Sequence, residues 1–242
     1  MWFEWNGITS GAMGVEVLRL PERQRAGIRG EAVNVPGRSG AIFVPDGSPE
    51  APVLEENVLL CECYLPYEQG GDVAALEEIS AWLTGEGVWR QSDAPDGAFR
   101  ARITDAISFQ AWVPGFEDRI FGLTLYAEPW EYIYPEAPDI QMTAAGSVRN
   151  PCAAASAPRI EVRGSGDIAL TVGTYEMSFG GVSGGFIIDS EAGDIYGLDG
   201  TTLQRGLAQT LEEFPLLAPG ENAVSWTGTV SRVTITPRWR RL

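Results

Sequence analysis

The order of apolar and polar positions along the chain predicts strands almost everywhere and one helix. Phe3 and Trp5 alternate with Glu4 before the turn signal Asn6-Gly7. A strand-like run from Met13 to Leu20 stops at Pro21. The segment from Arg23 to Gly30 holds three arginines and reads as an exposed arm. Glu31–Val35 and Ala41–Val44 are strand-like and flank the turn Pro36-Gly37-Arg38-Ser39-Gly40. In Asn57–Leu65, Leu59, Cys61, Cys63 and Leu65 share one face, while Val58, Leu60 and Tyr64 make the other nearly as apolar. A strand apolar on both faces is expected at the centre of a sheet, covered on both sides. Val73, Leu76, Ile79 and Leu83 recur at helical spacing, with Asp72 as the expected N-cap and Gly85 as the stop. Phe99, Ala101 and Ile103 alternate with Arg100 and Arg102, and Phe121, Leu123 and Leu125 continue the sheet.

The segment Pro129–Pro138 holds three prolines, which do not fit a central strand. It sets the expected boundary between residues 1–134 and residues 135–242. The second half has no helical pattern. Strands are expected near 140–144, 159–163, 167–172, 174–179, 185–189, 194–197, 223–227 and 230–236. They are separated by turns such as Gly164-Ser165-Gly166, Gly180-Gly181 and Asp199-Gly200. Short, evenly spaced strands read as a sandwich or jelly roll. The apolar stretch Phe214-Pro215-Leu216-Leu217, with Leu211, is expected to plug that sandwich. The fold class is therefore mainly β, in two domains, the first with one helix.

Composition narrows the chemistry. The 242 residues carry 33 acidic and 17 basic side chains, a net charge of −16, which argues against neutralising the phosphates of a duplex. No histidine is present, so Ser-His-Asp and Cys-His catalysis are excluded and the commonest metal ligand is missing. Three cysteines argue against a disulfide framework, and Cys61-x-Cys63 lacks zinc-site spacing and reads as core. The start MWFEWNG has neither the basic nor the apolar part of a signal peptide, and no window has the length of a membrane span. A cytoplasm is the expected place of synthesis.

Asp189, Glu191 and Asp194 form the tightest acidic cluster. Turn geometry selects such residues, while a Ca²⁺ loop or a glycosidase pair, Asp189 with Glu191, are the chemical alternatives. Trp2, Trp5, Trp82, Trp89 and Trp112 all lie in the first half, suited to a core plus a protein interface more than to a sugar platform. The basic end Arg238-Trp239-Arg240-Arg241 is either a solvated strand end or a contact for an acidic neighbour.

An ordered set of motifs carries a family resemblance. It starts with Phe3 and Asn6-Gly7, then Val33-x-Val35-Pro36-Gly37-Arg38-Ser39-Gly40. In the middle stand Asn150-Pro151 and Ala157-Pro158-Arg159-Ile160-x-Val162-x-Gly164-x-Gly166-Asp167-Ile168. Ile188-Asp189-Ser190-Glu191, Tyr196 and Phe214-Pro215-x-Leu217-x-Pro219-Gly220-x-Asn222 complete it, with the strand to Trp226. On these residues the chain resembles the distal tail proteins (Dit) of siphoviruses and of phage-derived particles.

The resemblance implies an N-terminal β-sandwich with one helix and a C-terminal galectin-like β-sandwich. It implies a non-enzymatic hub at the virion tail tip, assembled in the bacterial host cytoplasm, with no cofactor, catalytic residue or metal. Six copies would form a ring joining the tail tube of major tail protein to a tail-associated lysin or fibre protein. Receptor-binding proteins would dock outside the ring, and DNA would pass through it without specific binding. Neither membrane nor specific nucleic-acid contact is expected. Subunit contacts are expected at Arg23 and Arg25 and at Pro36, Gly37, Arg38, Ser39 and Gly40. A carbohydrate-binding module recognising cell-wall glycans is the alternative function. The second half leaves no room for the inserted carbohydrate-binding module that some members carry.

Overall fold

The computed structural model describes residues 1–47, 53–66, 73–110 and 119–241. The chain divides into two compact units, Met1–Glu131 and Tyr132–Arg241. Asp72 and Trp112 lie outside the described residues.

The first unit contains β1 (Phe3–Trp5), β2 (Ile8–Thr9), β3 (Glu16–Arg19), β4 (Gly30–Asn34), β5 (Ala41–Pro45) and β6 (Asn57–Leu65). After these come α1 (Val73–Trp82), β7 (Gly85–Gln91), β8 (Ala94–Ile103) and β9 (Arg119–Ala127). Seven of the strands form one antiparallel sheet in the order β2-β1-β7-β8-β9-β6-β3. The sheet curls so that Phe3, Trp5 and Trp89 on one side share a core with Leu59, Cys63, Phe121 and Leu125 on the other. Helix α1 closes that core with Ile79, and Leu83 follows just beyond its last residue. The expected helical stripe holds at Leu76, Ile79 and Leu83 and fails at Val73, which is exposed.

Two tryptophans of this unit, Trp5 and Trp89, are core residues, Trp82 packs against that core, and Trp2 is half-buried outside it. Trp5 and Trp89 are fully buried, Phe3 stacks on Trp89 at 4.3 Å between ring centroids, and the Trp82 indole N–H donates to the Trp5 carbonyl. The core part of the expected core-plus-interface use of tryptophan is thus met by Trp5 and Trp89, whose rings remove large apolar area from water.

The second unit follows β10 (Glu131–Ile133) and contains β11 (Ile140–Met142), β12 (Gly146–Asn150), β13 (Arg159–Val172), β14 (Tyr175–Val182) and β15 (Phe186–Asp189). The last strands are β16 (Asp194–Tyr196), β17 (Ala208–Thr210), β18 (Gly220–Thr236) and β19 (Arg240–Arg241). Two of these, β13 and β18, are long and bent, and they build both layers of the sandwich. One half of the pair, Arg159–Val162 against Val233–Thr236, is flanked by β15 and β11. The other half, Ala169–Val172 against Val224–Thr227, is flanked by β14 and β12. The register slips between these halves, at Arg163–Gly164 and Ser165–Ala169.

Glycine makes the corner. Gly228 sits at φ +94°, and a Cβ there would lie 2.3 Å from the Asp167 carbonyl oxygen. A Cβ on Gly164 would lie 2.4 Å from the Thr229 carbonyl oxygen. Only glycine lets the backbones approach so closely while the strands turn from one layer into the other. The sequence divides each of these strands in two at those glycines, whereas the fold bends them without breaking them.

The layers enclose Ile160, Val162, Leu170, Phe179, Phe186 and Ile235, all fully buried. The apolar stretch of residues 211–217 packs on this core: Leu217 is fully buried, and Leu211 and Phe214 lie against the cluster. Leu217 exchanges both backbone hydrogen bonds with Ser156, and its carbonyl accepts from the buried Asn150 amide at 2.9 Å. Leu216 stays half-buried outside the cluster.

Candidate assembly surface

Strands β4 and β5 stand apart from the main sheet as a two-stranded ribbon. Their register pairs Glu31 with Val44, Ala32 with Phe43, Val33 with Ile42 and Asn34 with Ala41. The turn at its tip has a direct sequence cause. The Arg38 N–H donates to the Val35 carbonyl at 3.1 Å, with Pro36 and Gly37 as the central residues and Gly37 at φ +82°. Proline pre-sets the first central position of a type II turn, and glycine supplies the positive φ of the second. At the base, the Arg29 N–H donates to Val53, and the Arg29 guanidinium holds Asp46 at 2.6 Å.

The ribbon exposes aliphatic side chains to water, beside Glu31 on the face of Val44. Cross-strand partners share a face, so Val33, Ile42 and Val44 lie together with Val35 two positions on. Phe43, 52% exposed, lies on the opposite face. Every residue of both strands is exposed except Pro45, which is half-buried. A lone two-stranded ribbon is marginally stable in water, and contiguous exposed aliphatics usually mark an interaction site.

The seven residues expected at a subunit contact fall into two groups. Pro36, Gly37, Arg38, Ser39 and Gly40 form the ribbon tip, all exposed. Arg23 and Arg25 lie on the segment that leads into the ribbon. Arg25 is exposed and its side chain has no hydrogen bond or ion pair with any described residue; the same holds for Arg38. Arg23 pairs with the buried carboxylate of Glu131, so its charge also anchors the segment's root. Burying a carboxylate is costly unless a cation accompanies it.

Sequence reasoning missed a second exposed apolar surface. Strand β6 lies between β9 and β3, but only its Leu59-Cys61-Cys63-Leu65 face is buried. Val58 and Leu60 remain exposed, Leu60 at 62%. The apolar character of both faces was the available signal, and it reads as a second core face until the structure leaves that face open. On the buried face, the Cys61 and Cys63 sulfurs are 3.6 Å apart. The Cys63 thiol, then burial, push the Cys61 thiol far above its ordinary range, so it stays protonated.

The acidic cluster of the second unit is a set of pairs. Asp189 receives Arg238 through both oxygens at 2.7 and 2.9 Å and accepts the backbone N–H groups of Glu191 and Ala192. Burial raises its carboxyl, but the Arg238 hydrogen bond and charge with those N–H groups outweigh it and hold it below the usual range. Glu191 accepts from Tyr132 at 2.7 Å and pairs with Arg238 at 3.0 Å. Asp194 is held low chiefly by the hydrogen bond from Arg205. A carboxylate held ionised by a bound arginine is a poor proton donor, which weighs against Asp189 as the acid of a glycosidase pair. Among the described residues no group of three acidic or sulfur side chains is arranged to hold a metal ion.

The same contacts settle the basic C-terminal end. Arg238 is bound to Asp189, Trp239 is buried in the core cluster, and the Arg240 Nε donates to the Ala155 carbonyl at 2.8 Å. The end is docked within its own unit and is not a free basic patch.

No protein-family model matches the sequence, and no curated protein is detectably similar to it. Among solved structures, the crystal structure of the Dit protein (gp 19.1) of phage SPP1, described as a paradigm of the hub adsorption apparatus of phages infecting Gram-positive hosts, superposes with a TM-score of 0.72. Identity is 14%, and the match covers 100% of this chain and 99% of that one. A chain of the phage p2 baseplate in its activated conformation matches at a TM-score of 0.44 and 7% identity, over 92% of this chain and 90% of that one. Over its whole length, this chain has a mainly β fold like that of the SPP1 Dit protein.

Proposed function

We propose that this chain is the non-enzymatic hub subunit of a phage tail tip, or of a phage-derived particle, with six copies closing a ring. The observation that carries this reading is the superposition on the SPP1 Dit protein along the full length of both chains. The ring joins the tail tube of major tail protein to a tail-associated lysin or fibre protein, with receptor-binding proteins docking outside it. Its location is the virion tail tip, after assembly in the host cytoplasm. A closed ring uses one heterologous contact repeatedly, so a patch on each copy meets a different patch on the next. We assign the first patch to the ribbon tip, Pro36–Gly40, and to the arm around Arg25, rooted by the Arg23–Glu131 pair. The net charge of −16 suits a channel that passes DNA without retaining it.

Trp5, Trp89 and Trp239 pack in cores and so offer no platform for the sugar-binding alternative. Light scattering on the purified full chain tests the proposal. Six copies of the 26.1 kDa chain weigh about 157 kDa. That mass, with six-fold rings in negative stain, is the expected result. A mass of one copy at every concentration, alone and with the tail-tube protein added, contradicts it.

A further inference from the structure

One cross-strand pair of the second unit runs against the usual pairing rule of sheets. Arg163 of β13 stands directly opposite Arg232 of β18. Like charges so placed repel and destabilise a sheet. Both side chains project from the outer face, because their neighbours Val162 and Val233 are fully buried in the core. Among the described residues a single carboxylate serves the pair. Arg163 donates through Nε to Glu161 at 2.6 Å, and the Arg232 guanidinium lies 3.9 Å from the same oxygen. The Arg232 Nε is enclosed and has no hydrogen-bond partner. Two guanidinium groups thus share one carboxylate and leave one positive charge over, in a chain with 33 acidic and 17 basic side chains.

The neighbouring rows show which ligand could use that charge. Glu161 lies beside Thr234, and Thr234 beside the exposed Gln141 of β11. On its other side the row runs through the buried Ile187 to the half-buried Tyr196. One row further on, Arg159 stands between Thr236 and Asp189; Asp189 is already held by Arg238, and Thr236 donates to Asp139. The surplus charge therefore sits at the Arg163–Arg232 end. On β11, β18 and β13 this face carries hydroxyl, amide, carboxylate and guanidinium groups and none of the aromatic or aliphatic anchors on which protein interfaces rest. Guanidinium forks match carboxylates and phosphates, and the groups around them match hydroxyls. A net charge of −16 repels a dense polyanion such as a duplex, which leaves a hydroxyl-rich ligand with sparse charge as the fitting one.

We propose that the outer face of β11, β18 and β13 binds an acidic saccharide. Arg163 and Arg232 share its carboxylate or phosphate, and Glu161, Thr234 and Gln141 meet its hydroxyls. The bound oxyanion relieves the repulsion between the two arginines, so the pairing that costs the free sheet stability serves the complex. This is a binding role added to the hub reading, and it does not depend on ring closure.

The test is isothermal titration calorimetry on the full chain with trigalacturonate and with glucose 1-phosphate. The neutral methyl ester of the trimer and a tri-glutamate peptide are the comparison ligands. At least one of the two acidic saccharides should bind, more weakly as salt rises, and the ester should not. Arg232→Thr and Arg163→Gln should each weaken that binding about tenfold or more. Arg149→Gln, at an exposed arginine on β12 away from this face, should change it less than about twofold. Arg232→Thr should also melt no lower than the wild type, because it removes a like-charge opposition; an arginine with a merely structural role would lower the melting point. Absence of binding by both acidic saccharides, or wild-type affinity in both Arg232→Thr and Arg163→Gln, would overturn the site. Equal affinity for the tri-glutamate peptide would overturn a saccharide as its occupant. None of these results bears on the ring, which light scattering reads separately.

Discussion

The two units differ in how completely they satisfy themselves. In the second, the long strands fold back at the Gly164 and Gly228 corner, the 211–217 stretch packs on the core, and Arg238 engages Asp189 and Glu191. In the first, the sheet buries one face of β6 and leaves Val58 and Leu60 open, while the two-stranded ribbon of β4 and β5 exposes aliphatics. The second unit encloses its apolar core between its own two layers and pairs Asp189, Glu191 and Asp194 with arginines. The first unit leaves two apolar faces exposed, and Arg25, Arg38 and Glu62 have no hydrogen bond or ion pair with any described residue, features that suit a partner. This contrast is the reason for assigning the proposed ring contact to the first unit.

The largest effect expected from breaking that contrast is at the corner of the second unit. Gly228→Val forces a Cβ to 2.3 Å from the Asp167 carbonyl at a positive φ, so the unit should lose about 3 kcal/mol or more or fail to fold. Soluble yield and calorimetric melting would show it. Leu217→Ala should cost about 3 kcal/mol by leaving a cavity in a closed core, seen as a lower midpoint for the second unit's transition alone.

Acid should act next, and on the second unit. Asp189 has a folded-state pKa below its unfolded value, so its contribution is fully present above about pH 4 and is lost as pH falls through the lower folded value. Replacing Arg238 with Gln should flatten that acid limb, which a pH series of chemical denaturation would resolve. The smallest effect sharpens the contrast from the other side. Ile42→Thr and Val33→Thr should leave the melting of the isolated chain within about 0.5 kcal/mol of wild type, because both side chains are exposed.

Much of this was legible in the sequence, for physical reasons that differ by element. The ribbon and its tip could be read because Pro36-Gly37 encodes its turn locally. Strand β6 was legible to its ends because its period-2 pattern is strong. The function of its second face was not legible, since burial in a core and burial in a partner select the same residues. Strands β13 and β18 were each read as two, because a glycine that ends a strand and one that bends it look alike until the partner backbone is present. Strands β12 and β17 were missed because Gly146–Asn150 and Ala208–Thr210 contribute few inward apolar residues and are recruited by neighbours. The arginine partners of Asp189 and Asp194 lie 49 and 11 residues away in sequence, beyond what local pattern reveals.

The most direct test of the contrast is hydrogen–deuterium exchange on the full chain, comparing a concentrated assembled sample with a dilute one. The account predicts that backbone amides of β4 and β5 gain protection on assembly, while the strands of the second unit are unchanged. New protection confined to the second unit, with the ribbon exchanging equally fast in both samples, would contradict it.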